Sequence, residues 1–227
     1  MDTYTIAIAV GVTILVVAII YYSLTSKAVA STTYPITTVI SDGRTPFSSK
    51  LYLPPSDDQD PGMSFSYACW VKIDDFSYKY GEPKVIFSKG PTDLSSMCPA
   101  LFLDSNSNSL IVKLDTFGGT EVIPIGNIPA KKWIHVAIAV SQSAVDIYVN
   151  GTLYLHHTLM NVPRQNDDVA HVGLNGGFNG QIASLQYFRY LLNASSINDL
   201  MQSTPQADTS VSGSLPPYSG ISFWTSH

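Results

Sequence analysis

The 227-residue chain carries 12 Lys and Arg against 17 Asp and Glu, a formal charge of -5. That balance gives no electrostatic case for nucleic-acid binding, which calls for a basic patch or stripe. Its two cysteines, Cys69 and Cys98, are too few for a disulfide framework; a single bridge is possible, and free thiols suit a reducing compartment.

The first element is an apolar run of 19 residues, Ile6 to Leu24, with no charged side chain between Asp2 and Lys27. As a helix it spans about 28 Å, close to the hydrocarbon thickness of a bilayer. Residues 1–26 are therefore expected to form a transmembrane anchor in the lipid bilayer, with Ile6, Leu15 and Leu24 along its apolar length. Tyr21 and Tyr22 sit at one interface. The rival reading is a cleaved secretory signal, for which Ala28-Val29-Ala30 offers a cleavage site; against it stand an n-region without Lys or Arg and the length of the run. Lys27 and Arg44 both follow the run, which places the C-terminal part on the cytosolic side. The sequons at Asn150 and Asn193 gain meaning only in the opposite orientation.

Residues 27–61 are rich in Ser, Thr, Pro and Asp and read as a stalk, with one strand around Pro35 to Ile40. Ten β-rich runs follow, broken by Gly, Pro, Asn and Asp: Phe65 to Ile73, Lys84 to Ser88, Ala100 to Leu103, Ser109 to Leu114, Thr120 to Ile125, Trp133 to Ser141, Ala144 to Val149, Thr152 to His157, Val169 to Leu174 and Gly180 to Tyr190. Between two of them, Asn150-Gly151 has the chemistry of a two-residue type I′ hairpin turn. A short helix is predicted over Ser195 to Met201, capped by Asn193 or Ser195. Many strands and one helix predict an all-β antiparallel sandwich over residues 62–203. Residues 204–227 form a Pro- and Ser-rich tail, with Tyr218, Phe223 and Trp224 as candidate anchors for a partner.

The runs Phe65-Ser-Tyr-Ala-Cys-Trp-Val-Lys, Ile86-Phe-Ser-Lys-Gly, Trp133-Ile-His-Val-Ala, Ile147-Tyr-Val-Asn-Gly and Phe178-Asn-Gly-Gln-Ile-Ala-Ser-Leu-Gln-Tyr-Phe resemble, in this order, laminin G-like domains of the concanavalin A-like jelly-roll type. The resemblance covers about residues 62 to 203. It implies two curved antiparallel sheets, with binding at the loops of one edge or on the concave face. Fold alone does not settle function, because lectins, adhesion modules, glycosidases and structural proteins share this architecture.

Trp70 and Trp133 are expected in the core, and Cys69 as a buried, inert thiol. Glycosidase chemistry needs two carboxylates a few ångströms apart, and the chain's two glutamates, Glu82 and Glu121, lie far apart in sequence. Asp74-Asp75 and Asp167-Asp168 are adjacent pairs that would point to opposite faces of a strand. No Gly-x-Ser-x-Gly elbow occurs, and Gly173 to Gly180 lacks the Lys-Ser/Thr of a P-loop and reads as a strand connection. Asp104 to Asp115 echoes a calcium loop but has Ser109 where the sharp turn needs Gly, and it lacks the terminal Glu. Asp57, Asp58 and Asp60 could line a calcium site at the sandwich edge, though a solvated acidic stretch is the plainer reading. His156 and His157 are adjacent and cannot chelate zinc together. No catalytic, cofactor-binding or metal-ligating residue is assigned.

The expectation is a non-catalytic, membrane-anchored structural or interaction protein. A virion minor capsid protein linking an internal membrane to the capsid shell of a large DNA virus fits by analogy, with other proteins of the assembly as partners. The alternative is a cell-surface lectin or adhesion module that binds glycans through edge-loop residues such as Asn175, Asn179 and Tyr80.

Overall fold

The computed structural model describes residues 15, 32–56, 58–59, 62–203 and 205. The chain divides into two units, Met1–Thr32 and Thr33–His227. Of the first, only Leu15 and Thr32 are described, and Leu15 is exposed. Ile6, Tyr21, Tyr22 and Leu24 lie outside the described residues, as do Tyr218, Phe223 and Trp224 of the tail. No helix among the described residues is long and apolar enough to cross a membrane.

Strict alternation builds the second unit. On β5 (Gly62–Asp75), Phe65, Tyr67, Cys69, Val71 and Ile73 point to one side and Ser66, Ala68, Trp70 and Lys72 to the other. β10 (Trp133–Ser141) pairs antiparallel with β5, Val136 opposite Cys69 and Ile138 opposite Tyr67. β14 (Asn179–Phe188) flanks β5 on its other side, while β11 (Ala144–Val149) and β12 (Thr152–Thr158) continue beyond β10. The second sheet holds β6 (Lys84–Lys89), β7 (Ala100–Leu103), β8 (Leu110–Thr116), β9 (Gly119–Ile125) and β13 (Ala170–Val172).

The remaining strands come from the segment read as a stalk, and here the structure corrects the sequence. β1 (Thr33–Pro35) and β2 (Ser41–Asp42) pair with β14, β3 (Phe47–Ser48) pairs with β13, and β4 (Asp58–Gln59) pairs with β5. Ile36 and Leu53 are buried in the core beside them. Residues 33–56 thus belong to the sandwich. Strands of two or three residues with Ser, Thr and Pro composition carry too little periodicity to stand out from a stalk. The sheet orders are β1-β14-β5-β10-β11-β12 and β3-β13-β6-β7-β8-β9.

Between the sheets, the inward side chains of β5, β10 and β14 meet Phe87, Leu101, Leu103, Leu110, Val112, Leu114, Ile123 and Ile125. Each fully buried Leu, Ile, Val or Phe contributes roughly 1.5–3 kcal/mol. Tyr67 stacks on Phe87 at 5.7 Å and meets Tyr187 at 4.9 Å. The helix Ala194–Met201, capped by Asn193 whose side chain accepts from the Ser196 N–H at 2.8 Å, packs Ile197 on the outer face of the first sheet against Ala68, Ala137 and Phe188. The hairpin turn is as expected: Asn150 and Gly151 have φ of 48° and 77°.

Trp70 and Trp133 do not enter the inter-sheet core. They sit on the outer face, where Trp70 meets His135 edge-on at 5.2 Å. Trp70 and His135 are both buried there, and the His135 Nδ1 has no hydrogen-bond partner among the described residues. Burial lowers the His135 pKa to about 4. Cys69 and Cys98 are free and buried, their thiols pushed up to about 12.

The antiparallel registers give the sandwich two ends. Thr33 enters beside Phe188 at one of them, here the near end, together with Ser64, the turn after Ser141 and the end of β12. Asp75, Trp133, Asn150 and Asn179 mark the far end, about 35 Å away along β5 from Ser64 to Asp75.

Candidate functional site

At the far end, three loops meet over one buried charge. Lys84, the first residue of β6, is only 1% exposed, and its Nζ donates to the Lys79 and Ser105 carbonyls at 3.5 Å each. Burial lowers its pKa, opposed by Asp104, Asp75 and Glu82. Above it, the Lys79 Nζ donates to the Asn175 carbonyl at 2.6 Å and the Tyr78 hydroxyl to the Gly176 carbonyl at 3.1 Å. These bonds join the loop after β5 to the loop before β14, nearly a hundred residues away in sequence.

Asn179 stands opposite Asp75 in the β14-β5 register. Hydrogen bonds from Ser77, and to a lesser degree from Asn179, hold the Asp75 carboxyl below the usual range. Tyr80 projects from the same loop and is 69% exposed. The edge-loop trio expected from sequence, Tyr80, Asn175 and Asn179, is therefore brought together. Lys79 and Lys84 were not singled out from sequence, and the exposed Arg44, paired with Asp42 at 2.9 Å, was read there only for its charge beside the apolar run. Close to the start of β6, Lys84 reads as an ordinary solvent-facing lysine; its burial depends on the loops that cover it.

Backbone shape concentrates here too. Lys79, Asn127, Lys131, Asn150 and Asn175 all have positive φ, and all lie at the far end. Gly177 (φ 50°) is required: a Cβ there would come within 1.9 Å of the Gly43 carbonyl oxygen. The Gly173 to Gly180 connection is thus a strand connection, as expected, with a 3-10 turn over Leu174–Gly176 that sets Asn175 outward.

The other candidate motifs are dispersed. The Asp104 carboxylate accepts from the Ser107 hydroxyl at 2.6 Å in a far-end turn. Asp115 lies at the opposite end of β8, buried and accepting from the Met97 N–H and the Thr120 hydroxyl. One calcium loop cannot include both. Glu121 accepts from the Met160 N–H at 2.8 Å and meets the His157 Nε2 at 2.6 Å, near the near end, whereas Glu82 follows Tyr80 at the far end. His156 turns the other way, to Asp146. Among the described residues, no group of three or more His, Cys, Asp or Glu could hold a metal ion. Both sequon asparagines are exposed, but their side-chain oxygens are engaged, Asn150 with the His135 N–H and Asn193 in its cap.

A family profile for the concanavalin A-like lectin/glucanases superfamily matches residues 46–198, and the chain belongs to that family. Among solved structures it is similar to the receptor binding domain of botulinum neurotoxin D, with a TM-score of 0.55 and 12% identity over 78% of this chain and 45% of that one. The receptor binding domain of the C/D mosaic serotype gives a TM-score of 0.52 at 15% identity, over 62% of this chain and 36% of that one. The binding domain of botulinum neurotoxin DC in complex with rat synaptotagmin II gives 0.52 at 20% identity, with the same shares. The chain thus spans between about a third and a half of those domains, and at such identities the likeness is one of fold. No curated protein matches the sequence.

Proposed function

We propose that the chain is a membrane-tethered, non-catalytic binding module that engages its partner through the far-end loops. The observation that carries this reading is the convergence of Tyr80, Lys79, Asn175 and Asn179 at the end opposite the point where the chain enters the sandwich. An exposed ring beside amides and backbone carbonyls offers stacking and hydrogen bonding together, the combination that dominates binding hot spots. The tether is the apolar run Ile6 to Leu24.

Within this reading the finer role is structural. The sandwich acts as a rigid body between a membrane and the other proteins of a large assembly, as a virion minor capsid protein would, and the tail aromatics Tyr218, Phe223 and Trp224 give a second contact. A glycan is the alternative far-end ligand. One of the similar structures is described as showing that cell entry of botulinum neurotoxin type C depends on interaction with two ganglioside molecules.

The test pairs Tyr80→Ala and Asn175→Ala with truncation after Ser203, reading glycan-array binding and recovery of crosslinked proteins from native membranes or particles. Loss of crosslinked protein partners in the loop variants supports the assembly role. Loss of glycan binding instead supports the lectin. Wild-type binding by both loop variants rejects the far end as the site, and unchanged recovery after truncation removes the tail from it.

A further inference from the structure

The near end carries a group of strongly exposed apolar tips. Met160 is 90% exposed and Phe117 75%, with Val162 beside them. Phe117 sits in the β8-β9 turn, and its N–H donates to the Val162 carbonyl at 3.0 Å, so two separate loops hold these side chains at one place. Open hollows of about 430 and 240 Å³ flank Met160 on either side. Tyr52 is exposed on the same end, past Ser49, whose N–H donates to the Ala170 carbonyl.

Chain connectivity says what faces this end. Because residues 33–56 belong to the sandwich, the stretch between Leu24 and Thr33 is eight residues, 25–32, and not a long stalk. Fully extended, it reaches about 30 Å. Thr33 enters the sheet beside Phe188, at the end where Phe117, Met160 and Val162 project. A bilayer holding Ile6 to Leu24 would therefore lie within reach of these tips. Tyr80 lies further off, since from the level of Thr33, opposite Phe188 and Ser66, β5 runs about 30 Å to Asp75 before the loop that carries Tyr80.

We propose that the near end of the sandwich is a bilayer-docking surface, on which Phe117, Met160 and Val162 enter the lipid interface and Tyr52 lies at headgroup level. This rests on the reading of Ile6 to Leu24 as a membrane span. Apolar side chains on two braced loops suit shallow insertion, and Tyr is enriched at that depth. The described charges on this end, Lys50, Arg164 and Arg189 against Asp58, Asp93, Glu121, Asp167 and Asp168, form no basic patch. Insertion is therefore driven by apolar burial and is insensitive to salt, unlike the attachment of a polybasic patch. Docking would set the far-end loops upright, away from the membrane.

The experiment uses the full chain reconstituted in phosphatidylcholine vesicles, with a polarity-sensitive fluorophore on Met160→Cys, Phe117→Cys or Tyr80→Cys in turn. Native Cys69 and Cys98 are buried and stay unlabelled. Spin-labelled lipid should quench the labels at 160 and 117 at least about twofold more than the label at 80, equally at low and high salt, as shallow insertion of 5–10 Å requires. Protein that floats with the vesicles while the labels at 160 and 117 report water and escape quenching overturns the docking and leaves the anchor standing. Failure to float, or release by alkaline carbonate, overturns the anchor and the docking with it.

Discussion

β6 begins on Lys84 and ends on Lys89, and each lysine is buried beneath the loops of one end of the sandwich. At the near end, the Lys89 Nζ donates to the Asn166 carbonyl at 2.7 Å, to its side-chain oxygen at 3.2 Å and to the Asp168 carbonyl. At the far end, Lys84 has only two bonds of 3.5 Å, and both acceptors have better donors: Glu82 N–H to the Lys79 carbonyl at 3.1 Å and Gly81 N–H to the Ser105 carbonyl at 3.0 Å. One strand therefore fastens its two ends differently. The difference teaches which end is built to hold still and which is free to adapt to a ligand, since loosely held loops supply the low-stability elements that binding uses.

The largest expected effect tests the near end. Lys89→Met removes three charge-assisted hydrogen bonds from a site that is nearly closed to water, and should destabilise the fold by about 2–4 kcal/mol. Urea unfolding of the detergent-solubilised protein reads it. A loss below ~1 kcal/mol would show that the loop at Asn166 to Asp168 is held by something else, and the contrast between the ends would fail there.

Acid separates the two halves by pH window. His135, on the outer face toward the far end, has its folded pKa lowered to about 4 by burial. The unfolded chain takes up a proton near pH 6.5 while the native state does not, so stability falls as pH drops from about 6.5 to 4, by on the order of 3 kcal/mol. His135→Phe should flatten the midpoint-against-pH curve across that interval. An unchanged slope would mean that His135 is protonated in the folded protein.

Glu121 acts in a lower window. Its carboxyl is held down by the hydrogen bond with His157 and then by the Met160 N–H, so its contribution is present above the ordinary carboxylate range and is lost as pH falls through the lowered folded value. The pair also ties β9 to β12, the outermost strands of the two sheets. Glu121→Gln keeps shape and hydrogen-bonding capacity but removes the charge; a cost of about 1–2 kcal/mol at pH 7 is expected. If chemical denaturation shows no loss, this bridge contributes shape and not energy.

How much of this could be read from the sequence divides along physical lines. The main strands declared themselves as β-rich runs bounded by turn residues: Trp133 to Ser141, Ala144 to Val149 and Ala100 to Leu103 have the bounds expected. So did the Asn150-Gly151 turn and the helix capped by Asn193. The outward position of Trp70 was also legible, because it shares parity on β5 with Ser66 and Lys72 and not with Phe65, Tyr67 and Val71. A large aromatic was weighed by its bulk instead of its register. The strand expected around Pro35 to Ile40 meets β1, Thr33–Pro35, only at Pro35, and β2 and β3 were not legible, since two or three extended residues leave no period to detect. The approach of the loop that carries Tyr80 to Asn175 depends on the β5-β14 register and on Lys79 bridging the loops, neither of which is encoded in spacing along the chain. The near-end apolar tips escaped for a simpler reason: a lone exposed Met or Phe in a turn has no sequence mark until the fold sets Phe117 beside Val162.

Lys84→Met is expected to have the smallest effect and is the most exacting test of the contrast. The side chain is fully buried, so a Met of similar length can fill its place, and the Lys79 and Ser105 carbonyls keep their backbone donors. A buried ammonium with two long bonds recovers little of what its desolvation costs, and its replacement should change global stability by less than ~1 kcal/mol. The local effect should be larger than the global one: amides of residues 76–83 and 104–108 should exchange faster, because the charge no longer draws the two loops together, while those around Asn166 should be unaffected. If Lys84→Met instead unfolds the protein as readily as Lys89→Met, the far-end loops are part of the rigid body, and adaptability cannot be the reason the binding residues are gathered there.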